Sequence, residues 1–306
     1  MNAMTWATDR LARAGLTNDE ITDTTRLITT ALSEDLACGP DPASQLTIAS
    51  HAATTMEIVA RQDGVLAGGP IAAVVFETVG GPHLDTCILC PDGAHVTAGT
   101  PVLRVHGRHR QLLIAERIAL NLMGHLSGIA TTTQRWVHAL DGTGCIVRDT
   151  RSALPGLRRL QTYAVRRGGG QNHHTGRGQR ILIQQHHIVH AGSLGAAVSA
   201  VRRHAPHRSW EVEVDTIDQL DEALDLGAEL IIFDAATLTD CVYAVGRRDR
   251  VAPNTSLEVS GRLTLELARA YADTGVDYLA LDVLTHSSPS LDLAMSAVAT
   301  HAGLSP

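Results

Sequence analysis

Five histidines fall within 18 positions, His173, His174, His186, His187 and His190, in the stretch GGGQNHHTGRGQRILIQQHHIVH over 168–190. Imidazoles can ligate a transition metal, move protons near neutral pH or donate to an anion. Three acids follow in EVEVD, where Glu211, Glu213 and Asp215 alternate with Val212 and Val214 and so share one face of a strand. A zinc-type shell could draw on His173, His174 and His186, completed by Glu213 or Asp234. The glycine run 168–170 makes no phosphate cradle by itself, because it does not join a strand to a helix in a G-x-G-x-x-G unit.

The elements that must hold these residues are legible from 145 onwards. CIVRD (145–149), RILIQ (180–184), EVEVD (211–215), ELIIFD (229–234), SLEVSG (256–261) and DYLALD (277–282) are short and apolar, each followed by a helical pattern. Such alternation builds βα units around a parallel sheet, and without a dinucleotide fingerprint it suits an α/β barrel. A barrel places chemistry just past the C-terminal ends of its strands. Those positions hold Arg151, Gln184 with His186, Glu213 with Asp215, Asp234, Ser260 with Gly261, and Asp282. Before the barrel, Thr17 followed by Asp19 and Glu20 marks a helix start. MEIVARQDGVLAGG and HLDTCILC read as strands, and residues 111–140 as a long helix with Gly128 as a candidate break.

Composition narrows the function. The 306 residues are 44% hydrophobic and 19% charged, which is ordinary globular composition. The net charge of −7 and the 3% aromatic content disfavour nucleic-acid binding. No signal sequence or membrane span is read in the chain, so a cytoplasmic enzyme is expected. Cys87 and Cys90 form a CxxC with no second pair at zinc spacing, and read as reduced thiols. There is no lysine, so no lysine Schiff base can form.

Several blocks resemble the quinolinate phosphoribosyltransferase family, also called nicotinate-nucleotide pyrophosphorylase (carboxylating). They are ALSEDLACGPDPASQLTI (31–48), RQDGVLAGGPIAAVVFE (61–77), ERIALNLMGHLSGIATTT (116–133), DTRSALPGLRRLQTYAVRRGGGQNHH (149–174) and ILIQQHHI (181–188), with EVEVD, LEVSG and DYLALDVLTHS following in order. The resemblance implies an N-terminal α/β sandwich over 1–127, completed by 288–306, and an incomplete, open α/β barrel over 128–287. It implies a homodimer in which each sandwich caps the partner's barrel. The family's reaction joins quinolinate to phosphoribosyl pyrophosphate (PRPP) with Mg²⁺, losing CO₂ and pyrophosphate to give nicotinate mononucleotide.

Residue by residue, the resemblance keeps some of the site and loses the rest. Arg117, which would enter the partner's site, is retained, with Arg151, His173, and Glu213 and Asp234 at the positions that contact ribose and metal. Ser260, Gly261 and His286 are retained at the 5′-phosphate end. The family's lysines become Ser152, Thr162 and Gln184, its arginine after NH becomes His174, and its asparagine in NHI becomes His186. At the phosphate end Arg262 replaces an asparagine and Asp282 a glycine. Each lost charged hydrogen bond weakens anion binding by roughly 1.5–3 kcal/mol.

These losses lead to an expectation of divergence. The chain is expected to act on a small pyridine-like carboxylate held by Arg117 and Arg151, by decarboxylation or another proton transfer without PRPP. His173, His174 and His186 would be its acid–base groups. Arg262 and Asp282 are expected to pair and plug the phosphate end. The first alternative is a genuine pyrophosphorylase making nicotinate mononucleotide, with Mg²⁺; the second is a non-catalytic small-molecule binder.

Overall fold

A computed structural model describes residues 3–81, 84–173 and 180–298. The chain divides into two compact units: residues 1–132, 154–169 and 288–306, and residues 133–153 and 170–287.

The first unit is built on a four-stranded antiparallel sheet of β1 (Ala53–Ala60), β3 (Asp85–Ile88), β5 (Pro101–Arg108) and β12 (Leu293–Ala297), in the order β12-β1-β5-β3. The short strands β2 (Gly64–Val65) and β4 (His95–Val96) pair separately. Helices α1 (Ala3–Arg13), α2 (Asn18–Asp35), α3 (Pro42–Thr47), α4 (Gly69–Gly80) and α6 (Arg158–Arg167) belong to this unit. Thr17 opens α2 with a capping box: its hydroxyl accepts from the Glu20 N–H while the Glu20 carboxylate accepts from the Thr17 N–H at 2.8 Å. The hydrophobic core runs through α4, whose Ile71–Phe76 segment is buried without interruption.

Helix α5 (His109–Ala139) is continuous, so Gly128 is no break. Its reason is close packing. A Cβ there would collide with the Pro289 carbonyl oxygen and stand 3.0 Å from the Ser290 Cα. One turn earlier, Gly124 accepts the Leu291 N–H at 2.9 Å. Glycine at these two positions lets the 289–291 backbone lie directly on the helix. By length and composition α5 could also cross a membrane, but 61% of its apolar window is buried inside the protein, as in a core helix.

The second unit carries a six-stranded parallel sheet in the order β6-β11-β10-β9-β8-β7. Its strands are β6 (Ile146–Asp149), β7 (Ile181–Ile183), β8 (Trp210–Val214), β9 (Leu230–Asp234), β10 (Ser256–Ser260) and β11 (Tyr278–Leu281). Helices α7 (Gln185–Ala191), α8 (Leu194–His204), α9 (Ile217–Asp225), α10 (Leu238–Val251), α11 (Leu265–Ala272) and α12 (Val283–His286) alternate with them. Among the described residues β6 and β7 are the two edges of this sheet and do not pair with each other, so the α/β barrel is open. Val212, Val214, Ile231, Leu257, Val259, Leu279 and Leu281 are buried, which explains the apolar runs of these strands.

Candidate active site

At the C-terminal ends of these strands lies a cavity of about 590 Å³. Its wall is assembled strand by strand, as the barrel predicts. The turn after β6 gives Thr150, Arg151 and Ser152; the end of β7 gives Gln184; β8 gives Glu213 and β9 gives Asp234. β10 and its turn give Glu258, Ser260, Gly261 and Arg262; Asp282 follows β11, and His286 ends α12.

His173 enters from the segment after Gly170. Asp149, buried at the end of β6, fixes that segment by accepting the His173 backbone N–H at 2.7 Å and the Asn172 amide at 2.5 Å. The His173 ring lies between two buried carboxylates, with Nε2 3.4 Å from Glu211 Oε1 and Nδ1 3.3 Å from Glu258 Oε1. Burial alone would discharge the imidazole. The carboxylates of Glu211 and Glu258 outweigh it and hold the pKa up at about 9. Glu258 also accepts from Arg148 at 3.0 Å, and the Arg148 guanidinium stacks 3.2 Å over the Tyr278 ring.

The acidic residues of the cavity are anchored by neutral donors. Gln184 Nε2 donates to Glu213 Oε2 at 3.0 Å, and the Ser260 hydroxyl to Asp234 Oδ1 at 2.7 Å. Backbone geometry tightens the same corner. Ala235, with φ 52°, is the sole non-glycine residue in the left-handed region among the described residues, and its N–H donates to the Ser260 carbonyl at 3.1 Å. A Cβ on Gly261 would stand 3.0 Å from that Ala235 nitrogen, at a φ of +108° that only glycine adopts cheaply. Strain held at the two strand ends is typical of a site.

Most of the residues expected from the sequence are brought together here: Arg151, Ser152, His173, Gln184, Glu213, Asp234, Ser260, Gly261, Arg262, Asp282 and His286. His186 is not among the lining residues. It is exposed on α7, its ring 3.9 Å from that of His187, and His187 Nδ1 caps the helix by accepting the Gln184 N–H at 3.0 Å. Arg117 is an exposed residue of α5 in the first unit. His174 lies outside the described residues. Among the described residues no three His, Cys, Asp or Glu side chains are grouped so as to hold a metal, and both His173 ring nitrogens face carboxylates.

The expected plug is not formed. No ion pair joins Arg262 to Asp282 among the described residues; Asp282 instead accepts the Thr150 hydroxyl, which ties the end of β11 to the end of β6. Two polar residues, Glu258 and Thr150, belong to the wall beyond those expected from the sequence. Glu258 had a signal: it is the one charged residue inside SLEVS, facing inward as Glu213 does across Ile232. Thr150 had none.

An open α/β barrel with a charged cavity at its strand ends places the site where enzymes of this architecture carry theirs. Residues 41–127 match the quinolinate phosphoribosyl transferase N-terminal domain, and residues 129–296 the C-terminal domain. The chain belongs to the quinolinate phosphoribosyltransferase family. It is 47% identical over 266 residues to the nicotinate-nucleotide pyrophosphorylase (carboxylating) of Mycobacterium leprae, an alignment spanning 87% of this chain and 94% of that one. The crystal structure of the nicotinate-nucleotide pyrophosphorylase from Ehrlichia chaffeensis superposes with a TM-score of 0.85 at 29% identity, over 90% of this chain and 98% of the other. That of the Francisella tularensis enzyme gives 0.82 at 32% identity, over 90% and 96%.

These relatives overturn the expectation of a decarboxylase that dispenses with PRPP. The substituted cations are single positions, whereas identity at this level extends over nearly the whole chain. The structure also supplies a physical reason. The cavity wall keeps a buried cation at His173, one of the residues that the resemblance retains.

Proposed function

We propose that this chain is a nicotinate-nucleotide pyrophosphorylase (carboxylating), joining quinolinate to PRPP with release of CO₂ and pyrophosphate. The observation that carries the reading is the single cavity in which Arg151 and His173 share a space with Glu213, Asp234, Ser260 and Gly261. Relatives so named across most of the chain support it.

The roles follow from chemistry. Arg151 offers a planar guanidinium that accepts a carboxylate bidentately, and His173 gives the same wall a buried positive charge. Glu213 and Asp234 suit the ribose hydroxyls. Their carboxylate oxygens are also the hard donors that Mg²⁺ prefers, and they would hold the ion that accompanies PRPP. Held there, the ion would supply charge neutralisation for the departing pyrophosphate. Ser260, Gly261 and His286 take the 5′-phosphate end by family resemblance. The pyridine nitrogen bonds to the ribose C1′ as the C–O bond to pyrophosphate breaks. The positive ring then releases its adjacent carboxylate as CO₂, and the ring carbon takes up a proton. The working assembly is a homodimer in which Arg117 reaches the partner's cavity.

Purified protein supplied with quinolinate, PRPP and Mg²⁺ should form nicotinate mononucleotide and CO₂ in equal amounts. Absence of the nucleotide, under conditions where the Mycobacterium leprae enzyme makes it, rejects the reading.

A further inference from the structure

Glu211, Glu258, His173 and Arg148 form a buried charged array behind the cavity wall, and its balance depends on one proton. Side-chain exposure is 3% for Glu211, 2% for Glu258, 10% for His173 and 13% for Arg148. With His173 protonated, two cations face two carboxylates and the array is neutral. With His173 neutral, the array carries one net negative charge, a short distance from a space that receives anions.

A purely structural account of this array is weak. Buried ionic groups can usually be replaced by apolar residues of similar volume without loss of stability. Here they are drawn from β6, β8 and β10, and they converge on a ring whose backbone is separately fixed by Asp149. Two of them, His173 and Glu258, line the cavity itself. The remaining charged groups in that wall are Arg151, Glu213, Asp234, Arg262, Asp282 and His286. Arg151, Arg262, Asp282 and His286 are exposed, so solvent screens them more than it screens the array.

We propose that Glu211 and Glu258 are positioning residues that clamp the His173 ring from both sides and keep it cationic, so that the buried array behind the cavity wall stays neutral and a dianionic pyridine substrate is admitted. The proposal rests on the quinolinate reading given above for the identity of that substrate. Quinolinate binding then has an alkaline limit set by His173, and the two glutamates set where that limit lies.

The full-length protein can be titrated from pH 6 to 10 by NMR with ¹³C-labelled histidine, the His173 signal being assigned by its loss in His173→Gln. Quinolinate affinity is measured by calorimetry over the same range. The His173 ring should titrate near pH 9, where its pKa is placed, and quinolinate binding should weaken through the same interval. In Glu211→Gln both midpoints should fall together by at least about one pH unit, since a neighbouring carboxylate shifts a pKa by about that much or more. Glu258→Gln should do the same. A wild-type ring that titrates near the ordinary histidine value overturns the clamp, and this result needs no variant to fold. A quinolinate affinity that stays flat while the ring titrates also overturns it. If the ring titrates near 9 and shifts in Glu211→Gln but quinolinate binds at no pH, the clamp stands and the quinolinate reading fails.

Discussion

His173 and Glu258 meet inside the barrel with Nδ1 3.3 Å from Oε1, and this contact couples the folded state to the protonation of one imidazole. The pKa of His173 is raised from 6.5 to about 9, with burial opposing and Glu211 and Glu258 prevailing. A raised histidine pKa stabilises the folded protein fully below the unfolded value and ceases to do so as pH climbs through the folded one. Unfolding free energy should therefore fall between about pH 6.5 and 9, by an amount on the order of 3 kcal/mol. Urea titrations at a series of pH values measure it. The His173→Gln variant should be less stable at pH 6.5 and lack this slope. An equal slope in the variant would assign the effect to other groups.

Arg151 is an exposed guanidinium of the cavity wall. Arg151→Ala should raise the KM for quinolinate by roughly 10- to 150-fold, the equivalent of one charge-assisted hydrogen bond at about 1.5–3 kcal/mol. The KM for PRPP should change much less. Arg151→Lys should recover little, because an ammonium cannot reproduce the planar fork. Steady-state kinetics with each substrate varied in turn separate these outcomes.

Gly128→Ala offers a test of the packing in the first unit. In an exposed helix interior this change stabilises by up to about 1 kcal/mol. Here the new Cβ meets the Pro289 carbonyl oxygen and the Ser290 Cα, both backbone. The 289–291 segment must move away from α5, and β12 follows it directly in sequence. The expected outcome is a loss of at least about 2 kcal/mol, within the range of overpacked sites. Thermal unfolding checks it, and an unchanged or higher Tm would show that the segment yields freely.

The barrel was legible from 145 onwards because parallel strands buried on both faces read as short apolar runs, and βα alternation admits few topologies. Arg151, Glu213, Asp234, Ser260 and Asp282 were legible for the same reason: strand ends project into one space. The histidine cluster misled. Residues of one histidine-rich stretch do not share one site: His173 goes inward, while His186 and His187 sit together on the exposed start of α7. Glu211 was visible as a face-sharing acid, but its meaning depends on Glu258, which lies 47 positions further along the chain. Contacts across that separation follow from sheet order, with β9 between the two strands, and no local pattern encodes them.

Asp282 remains the strongest departure from the family pattern at the phosphate end, and its hydrogen bond to Thr150 shows what it does instead of pairing with Arg262. A carboxylate at the mouth of the cavity repels a phosphate dianion, and it occupies volume that glycine leaves open. It also fixes the end of β11 against the end of β6, so its removal has two effects of opposite sign. Asp282→Gly removes the repulsion; it also releases the Thr150 tie. Solvent exposure of Asp282 limits the stability cost of losing that tie. The repulsion acts directly on the ligand and so outweighs it. PRPP should bind at least about tenfold more tightly to Asp282→Gly, corresponding to about 1.4 kcal/mol, with quinolinate affinity nearly unchanged. Thr150→Val, which removes the tie but keeps the carboxylate, should leave PRPP affinity unchanged or lower. Calorimetric titration of both variants with PRPP and Mg²⁺ measures the two effects, and tighter binding in Thr150→Val alone would assign the restriction to the tie and not to the charge.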